Sequence, residues 1–176
     1  KDPLSDLSAA RPGTVLAYLV TLKAETPLGF YPIRISSPNG ISNVVLFSVG
    51  DLPEVDELES KNPKRLNDSP ADAQKIPIPA VINGTLTGAD TDNYSFPAKA
   101  GQKLVFEVEA RRAGSAIDPA IEIFDAAGRE LARNDDAPGL GVDSRVEVTF
   151  PKQGEYFVRI HDSKFSDQAS NFYRLK

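Results

Sequence analysis

The sequence predicts a mainly β protein whose larger part is an antiparallel β-sandwich of jelly-roll type, and three observations lead there. Hydrophobic residues make up 40% of the 176, while Gly and Pro number 12 and 14, a balance that suits many short strands joined by tight turns. Turn dipeptides recur at short, fairly regular spacing: Asn83-Gly84, Ala100-Gly101, Ala113-Gly114, Ala127-Gly128, Pro138-Gly139 and Gln153-Gly154. Between them apolar residues alternate with polar ones, as in Leu104, Phe106, Val108 and Ala110 against Lys103, Glu107 and Glu109. A period of two places one set on each face of a pleated strand, with the apolar set toward a core.

Taken in order, residues 1–50 hold three strand-like stretches, Thr14 to Lys23, Phe30 to Ser36 and Asn43 to Val49. They are separated by Thr26-Pro27-Leu28-Gly29 and Ser37-Pro38-Asn39-Gly40, where Pro pre-sets φ and Gly and Asn tolerate positive φ, so consecutive antiparallel strands are expected. Three strands do not close a sandwich, and this region is expected to pack against its neighbour to stay ordered. Residues 51–72 lose the apolar periodicity. Their acidic cluster Glu54, Asp56, Glu57 and Glu59, followed by Lys64-Arg65 and Asn67-Asp68, reads as an acidic linker. From residue 73 to 176 alternation resumes, with Val146, Val148, Phe150 and Tyr156, Val158, Ile160 as further core-facing rows. About seven to nine strands and no long helix are expected there.

Charge and composition narrow the function. With 25 acidic against 20 basic side chains the formal charge is -5, so the electrostatic footprint of a nucleic-acid binder is missing. Without cysteine there is no disulfide framework, thiol nucleophile or thiolate metal site. No run of about 18 apolar residues is present, so no membrane insertion is expected. Methionine is absent, position 1 included, and the chain is therefore expected to be a processed or excised piece of a longer precursor.

Catalysis finds little support. The one histidine, His161, alternates outward from Ile160, and Gly114-Ser115 lacks the Gly-x-Ser-x-Gly elbow that exposes a nucleophile. Asp118, Asp125, Asp135, Asp136 and Asp143 read as turn residues, because Asp bonds its own backbone in turns; a metal site in those loops is the rival reading. Phe157, Arg159 and His161 share the face opposite Tyr156, Val158 and Ile160. They form either a ligand surface or a patch in which Phe157 packs under a neighbouring loop.

Several residues in order carry a family likeness. Gly84 and Leu86, the run Asp90, Asp92, Tyr94 and Phe96, Gly101, Gly114-Ser115 with Asp118, and Ile121 and Ile123 before Asp125 and Gly128 come first. Leu131-Ala132 before Asn134-Asp135-Asp136, Gly154 with Tyr156, and the closing Tyr173-Arg174-Leu175 complete the pattern. Together they resemble the bacterial pre-peptidase C-terminal (PPC) domain, from about Glu54 onward. Upstream, Tyr31-Pro32-Ile33-Arg34-Ile35, Gly40-Ile41-Ser42-Asn43 and Phe47-Ser48-Val49-Gly50 resemble the final strands of an immunoglobulin-like module of the IPT/TIG kind. The expected organisation is thus the end of that module over 1–50, the acidic linker over 51–72 and a PPC-like sandwich over 73–176.

The resemblance implies a metal site and a setting. Family members that bind collagen hold calcium between the linker and the core, through a Glu-x-Glu pair, a following Asn-Asp and acidic residues before a Tyr-x-Phe strand. Here Glu57 and Glu59, Asn67 and Asp68, and Asp90 and Asp92 match in turn, an oxygen-only set suited to Ca2+. One departure is the insertion of Ser60 to Leu66 after the Glu pair, so Asn67-Asp68 is either looped away from the site or Asn62 takes its place. The resemblance further implies a non-catalytic accessory domain of a larger secreted or cell-surface bacterial protein. Its expected work is adhesion, substrate targeting or spacing, with an extracellular protein or polysaccharide, or the parent's own domains, as partner. The alternative is a maturation or intramolecular-chaperone segment of a secreted peptidase.

Overall fold

The computed structural model of the chain describes residues 19–38, 40–58, 66–164 and 171–176. At its N-terminal side β1 (Gly29–Ile33) pairs antiparallel with β4 (Val45–Val49), Gly29 opposite Val49 and Ile33 opposite Val45. Between them β2 (Ser36–Ser37) and β3 (Gly40–Ile41) make a small hairpin. The strand expected over Thr14 to Lys23 does not form in its described part, since residues 19–23 carry no strand and the chain turns, Thr26 N–H donating to Lys23 O at 3.0 Å. Those residues pair with neither β1 nor β4, which form a two-stranded sheet. Residues 14–18 lie outside the described residues.

The rest is a two-layer sandwich. Sheet one has the order β11-β10-β13-β8-β6 and sheet two the order β12-β9-β14-β7-β5. The members are β5 (Glu54–Asp56), β6 (Gln74–Lys75), β7 (Val81–Thr85), β8 (Thr91–Ala98) and β9 (Lys103–Glu109), followed by β10 (Pro119–Asp125), β11 (Glu130–Asn134), β12 (Arg145–Thr149), β13 (Gly154–Asp162) and β14 (Phe172–Leu175). Nine strands, β6 to β14, thus follow residue 72. The helical content of the described residues is one 3-10 turn, Arg111–Ala113, closed by Gly114 at φ 97. Pairing is antiparallel except at two edges, where β5 runs parallel to β7 and β6 parallel to β8. The stretch read as an acidic linker therefore supplies an edge strand of sheet two. The next strand, β6, lies at the edge of sheet one.

The alternating rows fill the space between the sheets. Tyr94, Phe96 and Ala98 of β8, Tyr156, Val158 and Ile160 of β13, Phe106 and Val108 of β9, and Tyr173 and Leu175 of β14 belong to one buried cluster. Phe96 packs edge-on to Phe150 at 5.7 Å, and Phe150 lies 4.4 Å from Tyr156, so one end of the core is aromatic. The other end is polar and holds the candidate site.

An ion-pair net fastens the edges of sheet two. Arg174 Nη2 pairs with Glu54 on β5 at 2.5 Å and Nη1 with Glu109 on β9 at 3.0 Å, while Lys176 pairs with the same Glu109. Ser48 Oγ on β4 donates to Glu109 Oε2 at 3.4 Å, which ties the N-terminal ribbon to the sandwich.

Asn83-Gly84, which reads as a hairpin turn, lies inside β7 instead. Gly is needed there because a Cβ would collide with the ring and hydroxyl of Tyr173, which lies across it. Gly84→Ala is therefore expected to cost about 1–3 kcal/mol. Urea unfolding measures it, and a change near zero would mean that Tyr173 does not rest on Gly84.

Candidate functional site

Asp92 and Tyr94 lie two residues apart on β8 and so share its inward face. Tyr173 reaches them from β14 in the opposite sheet. Glu57 follows β5, where its N–H extends the parallel ladder by bonding Asn83 O at 2.9 Å. The four side chains meet: Tyr173 OH donates to Asp92 Oδ2 at 2.5 Å, the two phenol oxygens are hydrogen-bonded to each other, and Tyr94 OH donates to Glu57 Oε1 at 3.4 Å. Thr85 N–H donates to Glu57 Oε2 at 3.1 Å, and a side-chain hydrogen bond links Asp92 to Glu57. Asp92 is 0% exposed and Glu57 1%, so two carboxyl groups share a space sealed from water.

Burial dominates the protonation of Asp92, Tyr94 and Tyr173. It pushes the Asp92 carboxyl far above the ordinary carboxylate range, helped by a hydrogen bond that only the protonated Asp92 can donate to Glu57 and by that neighbour's like charge. Burial likewise holds the phenols of Tyr94 and Tyr173 neutral, well above their usual range, so both act as donors.

Oxygen atoms remain unanswered. Asp92 Oδ1, Asn67 Oδ1 and Asn171 Oδ1 are buried without a hydrogen-bond partner, as is Asn67 Nδ2. Each such atom costs about 1–3 kcal/mol if left so. Asn67 is held beside Asp92 because its carbonyl accepts both the N–H and Nδ2 of Asn93 at 2.8 Å. Carboxylate and amide oxygens are the ligands that a hard divalent cation takes. Among the described residues no three His, Asp or Glu side chains are gathered so as to hold a metal ion on their own. Glu57 and Asp92 would therefore need the amide oxygen of Asn67 to hold Ca2+.

The residues expected from the sequence separate accordingly. Glu57 and Asp92 interact directly, and Asn67 is bonded through its carbonyl to Asn93, the residue after Asp92. Asn67 is not looped away by the insertion, for it packs against β8. Asp68 is exposed, although its charge reaches Asp90. Asp90 Oδ1 accepts Thr91 N–H at 2.8 Å and its Oδ2 Thr87 N–H at 3.3 Å, so it closes the turn before β8. Its carboxyl is raised, chiefly by burial. Glu59 and Asn62 lie outside the described residues. Sequence reading did not single out Asn93 or the two phenols; Tyr94 and Tyr173 appeared only as family positions.

The other acidic group is turn structure. Asp143 accepts Arg111 N–H at 2.7 Å and pairs with Arg112 Nε at 2.7 Å, and Asp125 Oδ1 accepts the N–H groups of Ala127 and Arg129, each at 3.0 Å. On the outer face of β13, Phe157 sits opposite Phe124 and Ser95 in register. Arg159 lies 4.7 Å above the Phe124 ring and bonds Glu122 and Asn93, each at 3.2 Å. His161, half-buried, continues that face.

Stability of the metal-free protein should therefore depend on pH. The folded state keeps a proton on Asp92 that the unfolded chain releases above about pH 4. Folded protein thus binds more protons than unfolded, and stability falls as pH rises from 5 toward 8 in a chelating buffer. Asp92→Asn is expected to flatten that fall in thermal unfolding, and an unchanged slope would show that another group sets it.

The chain has relatives among known proteins. Residues 90–162, which span β8 to the end of β13, match the family model of the bacterial pre-peptidase C-terminal domain. A probable subtilase-type serine protease of Deinococcus radiodurans is 34% identical over 132 residues, which is 73% of this chain and 18% of that protein, so the chain spans less than a fifth of that relative. The pre-peptidase C-terminal domain of a Bacillus anthracis collagenase shares 21% identity over 62% of this chain and 98% of that one, with a TM-score of 0.46. PliG of Aeromonas hydrophila, a periplasmic inhibitor of g-type lysozyme, shares 22% over 58% and 91%, with a TM-score of 0.45. No helix among the described residues is long and apolar enough to cross a membrane. Residues 90–162, from the turn before β8 to the end of β13, are thus similar to the bacterial pre-peptidase C-terminal domain.

Proposed function

We propose that this region is a non-catalytic accessory domain of a larger secreted bacterial protein, strapped by calcium at the crossover between its two sheets. The observation that carries the reading is the set of buried oxygens of Asp92 and Asn67 without partners, next to Glu57. Calcium bound by these residues, with Glu59 as a further ligand from the family pattern, ties residues 57–67 to β8. Two carboxylates that repel each other become a fastening once a cation lies between them. Calcium outside the cell is plentiful enough to fill even a weak site.

The work of the domain in this reading is adhesion, substrate targeting or spacing. Phe157, Arg159 and His161, with Phe124 beside them, are the surface offered to an extracellular protein or polysaccharide. The ribbon β1–β4 is read as the end of an IPT/TIG-like module lying before the sandwich. A second reading is favoured by the subtilase-type relative: the domain serves as a maturation or chaperone segment of a secreted peptidase.

Thermal unfolding in excess calcium and in chelator tests the strap. At a calcium concentration about a hundred times Kd, Tm is expected to rise by roughly 5–10 °C. Glu57→Gln with Asp92→Asn removes the rise. An equal Tm in both buffers for the unsubstituted protein would overturn the strap and leave a plain spacer.

A further inference from the structure

Sheet two is incomplete at one end. β14 pairs with β9 at Arg174 opposite Glu109 and Leu175 opposite Val108, and a last rung joins Lys176 to Glu107 through N–H···O bonds of 2.8 and 3.1 Å. β9 runs on beyond that rung to Lys103, with β12 along its other edge. In an antiparallel strand alternate residues bond opposite neighbours. Val108 N–H bonds Ser144 O on the β12 side at 2.9 Å, whereas Glu107 bonds Lys176. By that alternation Val105 and Lys103 turn their N–H and C=O groups away from β12, into the line of β14. No strand among the described residues meets them there.

That line is a cleft of about 300 Å³. β9 forms one wall and residues 76–80 the other, with Phe106, Ile82 and Leu175 among its lining. The second wall carries Pro77 and Pro79, which have no N–H to offer, so a strand entering the cleft finds its ladder on β9. A largely apolar lining and one unpaired edge describe a seat for extended polypeptide.

We propose that this cleft seats an extended segment of the parent polypeptide outside these 176 residues, added antiparallel to β9 along the line of β14. Its residues opposite Phe106 and Leu104 are apolar and point inward, as Leu175 does opposite Val108. Those opposite Val105 and Lys103 point outward, on the side of Arg174. The choice of the parent rests on β14, whose chain already points along the cleft from the Lys176–Glu107 rung. A strand tethered there has little loop-closure entropy to overcome, unlike a free peptide.

The test extends the chain after Lys176 by Val-Thr-Val-Thr, which places Val opposite Phe106 and Leu104. A Val-Pro-Val-Pro extension keeps those apolar residues and removes the donors that meet Val105 and Lys103. Expected are hydrogen exchange at the Val105 amide slowed at least about tenfold and a Tm raised by several degrees, for the first extension only and independent of protein concentration. Equal exchange in both extended proteins would overturn the seat. Protection of the unextended chain that grows with its own concentration would give the cleft to a second copy. Equal protection by free Val-Thr-Val-Thr peptide at micromolar concentration would give it to a separate partner.

Discussion

A carboxyl group between two β-sheets must be neutral or answered by opposite charge, and Asp92 imposes that condition on one end of this sandwich. Its neighbours are chosen around it. Tyr173 crosses from the opposite sheet to donate to it, Tyr94 lies one pleat along β8, and Glu57 arrives at the end of β5. Gly84 leaves the room that the Tyr173 ring occupies. Because the sheets close over these groups, water cannot relieve an unpaired oxygen, and either a proton or a cation must.

The same condition organises the edges. β5 and β6 are short strands that add in parallel to the outer sides of β7 and β8, and Glu57, just after β5, belongs to the Asp92 cluster. Covering both edges in this way hides backbone groups that would otherwise template pairing with another chain. Arg174 draws β5, β9 and β7 together through Glu54, Glu109 and Asn83, so sheet two is held by charge where its strands are short. One end of the sandwich is thus aromatic and dry, and the other polar and dependent on what fills it.

An accessory role suits this division. Asp125 and Asp143, outside the cluster, are spent on turn N–H groups and on pairing with Arg129 and Arg112. The outer face of β13 is the contrasting feature: an Arg stacked on an aromatic ring and tied on both sides is a stiff surface, and stiffness lowers the entropy lost on contact.

The sequence by itself determined the sandwich rows. Tyr156, Val158 and Ile160 alternate, and alternation is a local property of a strand with one face toward a core. Composition and turn chemistry likewise announced many short strands, and Gly101, Gly114, Gly128 and Gly139 do take positive φ at turns. Half of the candidate site was legible through its family pattern, as Glu57, Asn67 and Asp92. Only the tertiary structure decided the rest. Asn83-Gly84 became strand interior because Tyr173, distant in sequence, lies on the glycine. Residues 54–56 became a strand because β7 offered a free edge. Asp90 and Asp92 share one local pattern, yet one closes a turn and the other is sealed in the core. Which oxygen meets solvent and which meets Tyr173 depends on contacts between sheets, and a local pattern carries no record of those.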